Sequence, residues 1–124
     1  MLVFCNATLE GGIDLVLDAL DFETRLEGID LVVTGEGKLD GQTAYGKVPV
    51  GISRRAKKMG IPVLAIAGDL GDDIAPVYDN GIDAVMSTVN RAMSLEEAMS
   101  RGRELLVDGA ERAMRMIQLG INLC

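Results

Sequence analysis

The stretch IDLVVTGEGKLDGQTAYGKVP, residues 29–49, carries the reading from which the fold follows. Its opening, Ile29 to Val33, is a short β-branched apolar run of the kind that forms a strand buried on both faces. Thr34 to Lys47 then packs four glycines, two carboxylates and two lysines into fourteen residues. Pro49 follows, a residue suited to the first turn of a helix, where its missing N–H costs nothing. A strand that ends in a glycine-rich polar loop and leads into a helix is a usual layout for an anion site. Glycine lets backbone N–H groups approach a ligand, and the helix N-terminus adds partial positive charge.

Outward from this stretch the chain alternates helical and strand patterns. Before it, Ile13, Val16, Leu17 and Leu20 share one helical face while Asp14, Asp18 and Asp21 face away. Phe22 and Leu26 extend the buried side, and Gly28 closes the turn. Met1 to Thr8 lacks a clear period and reads as the ragged end of a helix. After the loop, a helix runs from Pro49 to about Met59, with Arg54, Arg55, Lys57 and Lys58 complementing the dipole of its last turns and Gly60 as its terminator. Pro62 to Ala67 is a second buried strand, and Gly68 and Asp69 open its loop. Asp72 or Asp73 caps a short helix through Tyr78, stopped by Asn80 and Gly81. Ile82 to Met86 is the third strand and Ser87 to Arg91 its polar loop. Ser94 and Glu97 form a capping box that opens a long helix to about Gln118. On that helix Leu95, Ala98, Gly102, Leu105, Gly109 and Ala113 make the packing stripe, and Met99, Met114 and Met116 are expected as core filler.

This alternation defines an α/β chain, a three-layer α/β/α arrangement around a small parallel sheet of Rossmann-like or flavodoxin-like type, with residues 1–124 as a single domain. The loops Thr34–Lys47, Gly68–Asp73 and Ser87–Arg91 are expected to converge at the carboxyl ends of the strands, where open α/β sheets bind ligands. Three strands are fewer than the usual ~4–6, so strands are expected to be missing.

Bulk composition closes several functions. A net charge of −7 without a clustered basic face argues against nucleic acid. The chain has no histidine, so acid–base work falls to carboxylates, lysines or tyrosine. Cys5 and Cys124 lie at opposite ends without CxxC or histidine neighbours, too few ligands for zinc. They read as free thiols, a terminal disulfide being the alternative. No apolar run approaches the ~20 residues of a membrane span, and MLVF is too short for a signal peptide, so the expected location is cytoplasmic.

Gly41 to Lys47, GQTAYGK, matches the GxxxxGK of a phosphate-binding loop, but Val48 stands where a Ser or Thr must carry the metal. Gly35 and Gly37 lack the third glycine of a dinucleotide fingerprint, because Asp40 holds that place. Glu36 and Asp40 remain beside Lys38 and Lys47. Phosphoryl transfer needs a bridging metal, a positive clamp and often a carboxylate that accepts a hydroxyl proton, and the loop offers a candidate for each. The competing reading is structural: Asp40 and Gly41 form a plain turn, Gln42 and Thr43 hydrogen-bond the backbone, and the lysines are solvated.

The segment TGEGKLDGQTAYGKVPVGISRRAKKMGIPVLAIAG resembles the C-terminal portion of the bacterial type I glycerate kinases, with their pattern GEGxxDxQTxxGKxPxGV. Gly35, Glu36, Gly37, Asp40, Gln42, Thr43, Gly46, Lys47, Pro49 and Gly51 match in register, Ile52 replaces the valine, and the similarity runs from about Ala7 to Leu119. The resemblance implies transfer of the ATP γ-phosphoryl group to a hydroxyl of D-glycerate with Mg2+. It also implies a larger two-domain enzyme, of which nothing here matches the N-terminal strand and DSFKGS-like loop. On this reading Asp40, Lys47 and Glu36 are catalytic, and Asp40 and Glu36 are the metal ligands. Gly35, Gly37, Lys38, Gln42, Thr43, Gly46, Gly68 and Asp69 bind substrate or phosphate. The expected partners are D-glycerate and ATP, with association either to the missing N-terminal half or to a second copy. The alternatives are a non-catalytic module that folds as a homo-oligomer and a phosphate- or nucleotide-binding regulatory domain.

Overall fold

A computed structural model describes residues 12–45 and 47–124; the reading of Met1 to Thr8 as a helix end, the thiol of Cys5 and the site residue Gly46 lie outside them. The described elements run α1 (Gly12–Ala19), α2 (Phe22–Arg25), β1 (Val32–Leu39), a 3-10 turn (Gly41–Ala44), α3 (Val48–Lys58), β2 (Val63–Leu70), α4 (Ala75–Asp79), β3 (Ala84–Ser87), α5 (Leu95–Ser100) and α6 (Gly102–Leu123). The strands form one parallel sheet in the order β1-β2-β3, flanked by helices on both faces, as the alternating pattern requires.

The two faces are built from opposite sides of β2. Val63, Ala65 and Ala67 enter a core with Leu26, Leu39, Val50, Ala56, Val77 and Ile82, which belongs to α3 and its neighbours. Leu64 and Ile66 enter a second, smaller core with Ala113 of α6, bordered by Met86, Ala110 and Ile117. A strand with two buried faces needs apolar residues at consecutive positions, and the VLAIA run of β2 supplies them.

Helix ends follow the glycines. Gly28, Gly60 and Gly81 all take positive φ, a region open to glycine without the Cβ clash. At Gly60 the N–H bonds to the Lys57 carbonyl while the next N–H, of Ile61, reaches back to Ala56, the paired pattern that satisfies the last carbonyls of α3. Three of the four cations of this helix are committed to neighbours. Arg55 pairs with Asp14 and Asp18 of α1 and Glu23 of α2, clasping these helices onto α3. Burial works against its charge, but the bond to Asp18 and the field of the three carboxylates outweigh it and raise its pKa. Arg54 bonds Asn80, and Lys57 bonds Asp83.

Several expectations are corrected. Val16 and Leu20 are exposed, and Leu17 alone of that stripe is buried, because α1 packs on α3 through a narrow contact in which Ile13 meets Gly51. The short helix begins at Ala75 with Ile74 at its N-cap, so neither Asp72 nor Asp73 caps it. The last helix is broken at Arg101, whose ψ of 15° departs from the helix and divides α5 from α6. Ser94 does cap α5, accepting from the Glu97 N–H. Met99, Met114 and Met116 are exposed, not core filler: Met99 lies on α5, and Leu105, Gly109 and Ala113 form the side of α6 turned to the sheet, which leaves Met114 and Met116 outside. The strands also run past their expected ends: β1 continues through Thr34–Leu39 and β2 through Gly68–Leu70, because each strand supplies the other's backbone partners. Among the described residues no helix is long and apolar enough to cross a membrane, and Cys124 is a free, exposed thiol.

Asp83 ties three elements together: its carboxylate accepts from the Val63 N–H at the start of β2 and from Lys57 of α3, just before β3. Burial pushes its pKa up, but the Lys57 bond, the Val63 N–H and the ammonium charge prevail and hold it below the ordinary aspartate value. A depressed folded pKa stabilises above the unfolded pKa of about 4 and is lost as pH falls through the folded value. Asp83→Ala is therefore expected to cost about 1 kcal/mol at neutral pH in urea unfolding, the exposed half of the pair being screened. The gap to the unaltered chain should close as the pH drops below about 4. Equal unfolding midpoints at neutral pH would remove this role.

Candidate functional site at the carboxyl ends of the strands

Where β1 and β2 finish, pairing passes from Glu36–Ala67 to Lys38–Asp69, with Gly37 and Gly68 between. A Cβ built on Gly68 would stand 2.8 Å from the Gly37 carbonyl oxygen, closer than side-chain carbons approach backbone. Ala67 and Leu70, three residues apart, both face the α3 core, so the strict alternation of β2 slips at Gly68; Leu39 joins the same core from β1. Beyond this point the two chains interlock. The Gly71 N–H donates to the Leu39 carbonyl at 2.8 Å, a Cβ on Gly71 would meet Asp40 Cβ at 2.6 Å, and one on Gly41 would meet the Asp73 carbonyl at 2.8 Å. At Gly41, Gly68 and Gly71, then, glycine lets backbone approach backbone.

Asp40 begins the turn into α3. Its Oδ1 accepts from the Gln42 N–H at 2.9 Å, and its own N–H donates to Thr43 Oγ1 at 3.1 Å, a reciprocal capping arrangement around the 3-10 turn. Thr43 is wholly buried and Gln42 exposed. Lys47 occupies the N-cap of α3 without a side-chain cap and is exposed, as is Lys38; neither forms an ion pair among the described residues.

Beside this turn lies a cleft of about 710 Å3. Gly35, Glu36 and Gly37 of β1, Gly68 and Asp69 of β2, Ser87 at the end of β3 and Thr88 and Val89 after it form its polar side. Met93, Leu95, Ala98, Met99 and Leu106 form an apolar wall. The loops after the three strands do come to one edge, but the residues read from the sequence divide into two groups. Gly35, Glu36, Gly37, Gly68 and Asp69 line the cleft, whereas Asp40, Gln42 and Thr43 build the adjacent turn and Lys47 stands at the head of α3. Lys38 is outside the lining. Sequence reasoning missed the α5 wall, assigning Leu95 and Gly102 to the packing stripe. Leu95 lies in α5, one helix earlier than Leu105, and Gly102 opens α6 beside the break at Arg101; no local residue in the sequence marks that break. Among the described residues no group of three or more Asp, Glu or Cys side chains is placed to hold a metal by itself.

A parallel α/β unit with a cleft outside the carboxyl ends of its strands is the general form of a small-ligand-binding enzyme domain. The model for "Glycerate kinase family" matches residues 1–118, and the chain belongs to that family. It is 47% identical to the glycerate kinase of Halalkalibacterium halodurans over 89% of this chain and 29% of that protein. To the Bacillus subtilis glycerate kinase it is 43% identical over 99% of this chain and 31% of that protein. The solved structure "putative glycerate kinase 2 from Salmonella typhimurium LT2" superposes with a TM-score of 0.66 at 38% identity, covering 90% of this chain and 28% of that one. The chain thus spans about 30% of the length of the curated relatives it matches.

The cap at Asp40 gives a direct test of the turn. Asp40→Asn keeps an acceptor for the Gln42 N–H and is expected to change stability by less than about 0.5 kcal/mol, whereas Asp40→Ala should cost about 1 kcal/mol in urea unfolding. If both variants unfold alike, the turn does not depend on that cap.

Proposed function

We propose that this chain is the C-terminal segment of a glycerate kinase and forms one wall of the site where the ATP γ-phosphoryl group passes to a hydroxyl of D-glycerate. The observation that carries the reading is the placement of Glu36, inside the GEG motif by which the sequence resembles that family, on the cleft at the carboxyl ends of the strands. In the transfer, the glycerate hydroxyl oxygen bonds to the γ-phosphorus, the bond to the bridging oxygen of ADP breaks, and the hydroxyl proton passes to a carboxylate. Glu36 is the one of the two cleft carboxylates that serves as this acceptor, and Asp40 holds the turn leading to Lys47, whose ammonium serves as the phosphate clamp. Magnesium usually keeps several waters and takes only one or two protein carboxylates besides substrate phosphates, so the lack of a three-carboxylate cluster is compatible with it. Glu36 and the free Oδ2 of Asp40 would hold it, supplying charge neutralisation on the phosphates. The reaction places the protein in the cytoplasm, where ATP is available.

The test is a chimera in which this chain replaces the matching segment of the Bacillus subtilis glycerate kinase. It should release ADP in a manner dependent on D-glycerate, and Glu36→Gln and Lys47→Ala should each lower kcat/KM by about 100-fold or more. Chimeras that keep their full rate with both substitutions would refute the residue assignment.

A second reading, a non-catalytic module that self-associates, is favoured by the exposed apolar side chains of α6: Leu106, Val107, Met114, Met116, Leu119, Ile121 and Leu123. Light scattering on the purified chain should then give a dimer or larger assembly. A monomer rules this reading out.

A further inference from the structure

We infer that the apolar α5 side of this cleft takes the uncharged nucleoside half of the nucleotide, and that the phosphates and glycerate meet the chain only at the Glu36 end, with a cation between. The inference rests on the kinase reading above and decides which substrate meets this surface. Its first support is charge. The cleft lining carries two carboxylates, Glu36 and Asp69, and among the described residues it contains no lysine or arginine. D-glycerate and phosphate are anions, and in a chain of net charge −7 such a lining repels them unless a cation intervenes. A nucleoside brings no charge to oppose it.

The second support is the division of the surface. Leu95 and Met99, both more than 70% exposed, project with Leu106 from one wall of the cleft, beside Ala98. A purine ring, flat and apolar on its faces, would cover that surface. The opposite side presents what a ribose requires: the Asp69 carboxylate can accept hydrogen bonds from vicinal hydroxyls, as an acidic residue at the end of a strand does in dinucleotide-binding sheets. The Ser94 hydroxyl already accepts the Glu97 N–H as the α5 cap, and Ser87 Oγ accepts the Val89 N–H. Both side chains are therefore held in place before any ligand arrives. A volume of about 710 Å3 lies within the ~300–1,000 Å3 typical of small-molecule sites.

The probe is adenosine, which carries neither phosphate nor a need for magnesium. In a 1H–15N NMR titration of the full chain, adenosine should give saturable shifts at amides of Asp69, Thr88, Val89, Ala98 and Met99. D-glycerate and inorganic phosphate, each added without metal, should leave those amides unmoved. Met99→Glu, at an exposed position where the fold does not depend on the side chain, should weaken adenosine about tenfold, a loss of the size expected when a charge replaces apolar contact area. Ala98→Trp, which fills the wall, should do the same. Absence of saturable adenosine shifts in the folded chain, or saturation of the same amides by glycerate or phosphate, overturns the assignment. The chimera's glycerate-dependent ADP release is unaffected by that result, so the nucleoside assignment can fall while the kinase reading stands.

Discussion

The close approach of Gly68 on β2 to the Gly37 carbonyl of β1 is the constraint on which the functional end of this molecule depends. With no side chain at Gly68, the strands remain paired through Leu39 and Leu70 and turn both leucines into one core. The segments beyond them then interlock, Gly71 against Leu39 and Asp40, and Gly41 against Asp73. A Cβ at Gly68 would push the strands apart just before the cleft, and its β1 and β2 edges would no longer share one rim. Gly41 of the glycine-rich loop, like Gly68 and Gly71 of the facing segment, therefore serves backbone packing, and the cleft edge is a consequence of that packing.

Charge is distributed with a similar division of labour. The basic residues at the end of α3 lie far from the strand ends and are occupied in holding helices together: Arg55 with α1 and α2, Lys57 with Asp83, Arg54 with Asn80. Lys38 and Lys47 stand near the cleft without entering its lining. The cleft is consequently acidic and apolar. The relatives are about three times as long as the segment they share with this chain.

The helices were largely legible because their determinants are local. Pro49 at the first turn of α3, Gly60 at its end, Gly81 after α4 and the Ser94 cap of α5 each act within a few residues of themselves. The Asp40 turn was legible for the same reason, since an Asx side chain and a threonine three residues on close a cap wherever the chain permits it. The break at Arg101 carries no such residue, and the exposure of Met114 and Met116 depends on which side of α6 meets the sheet.

By itself the sequence determined the order of strands and helices, the parallel α/β class, the turn at Asp40 and, through the GEG and QT motifs in register, the family. Tertiary structure alone decided that Thr34–Leu39 is strand, that the candidate residues split between a cleft wall and a capping turn, and that α5 supplies the apolar side of the cleft. The physical reason is range. Caps and helix stops are fixed by neighbours in sequence. The length of a strand, the task of a glycine and the lining of a cleft are fixed by whichever backbone lies across from them, here β2 across from β1, about thirty residues away in register.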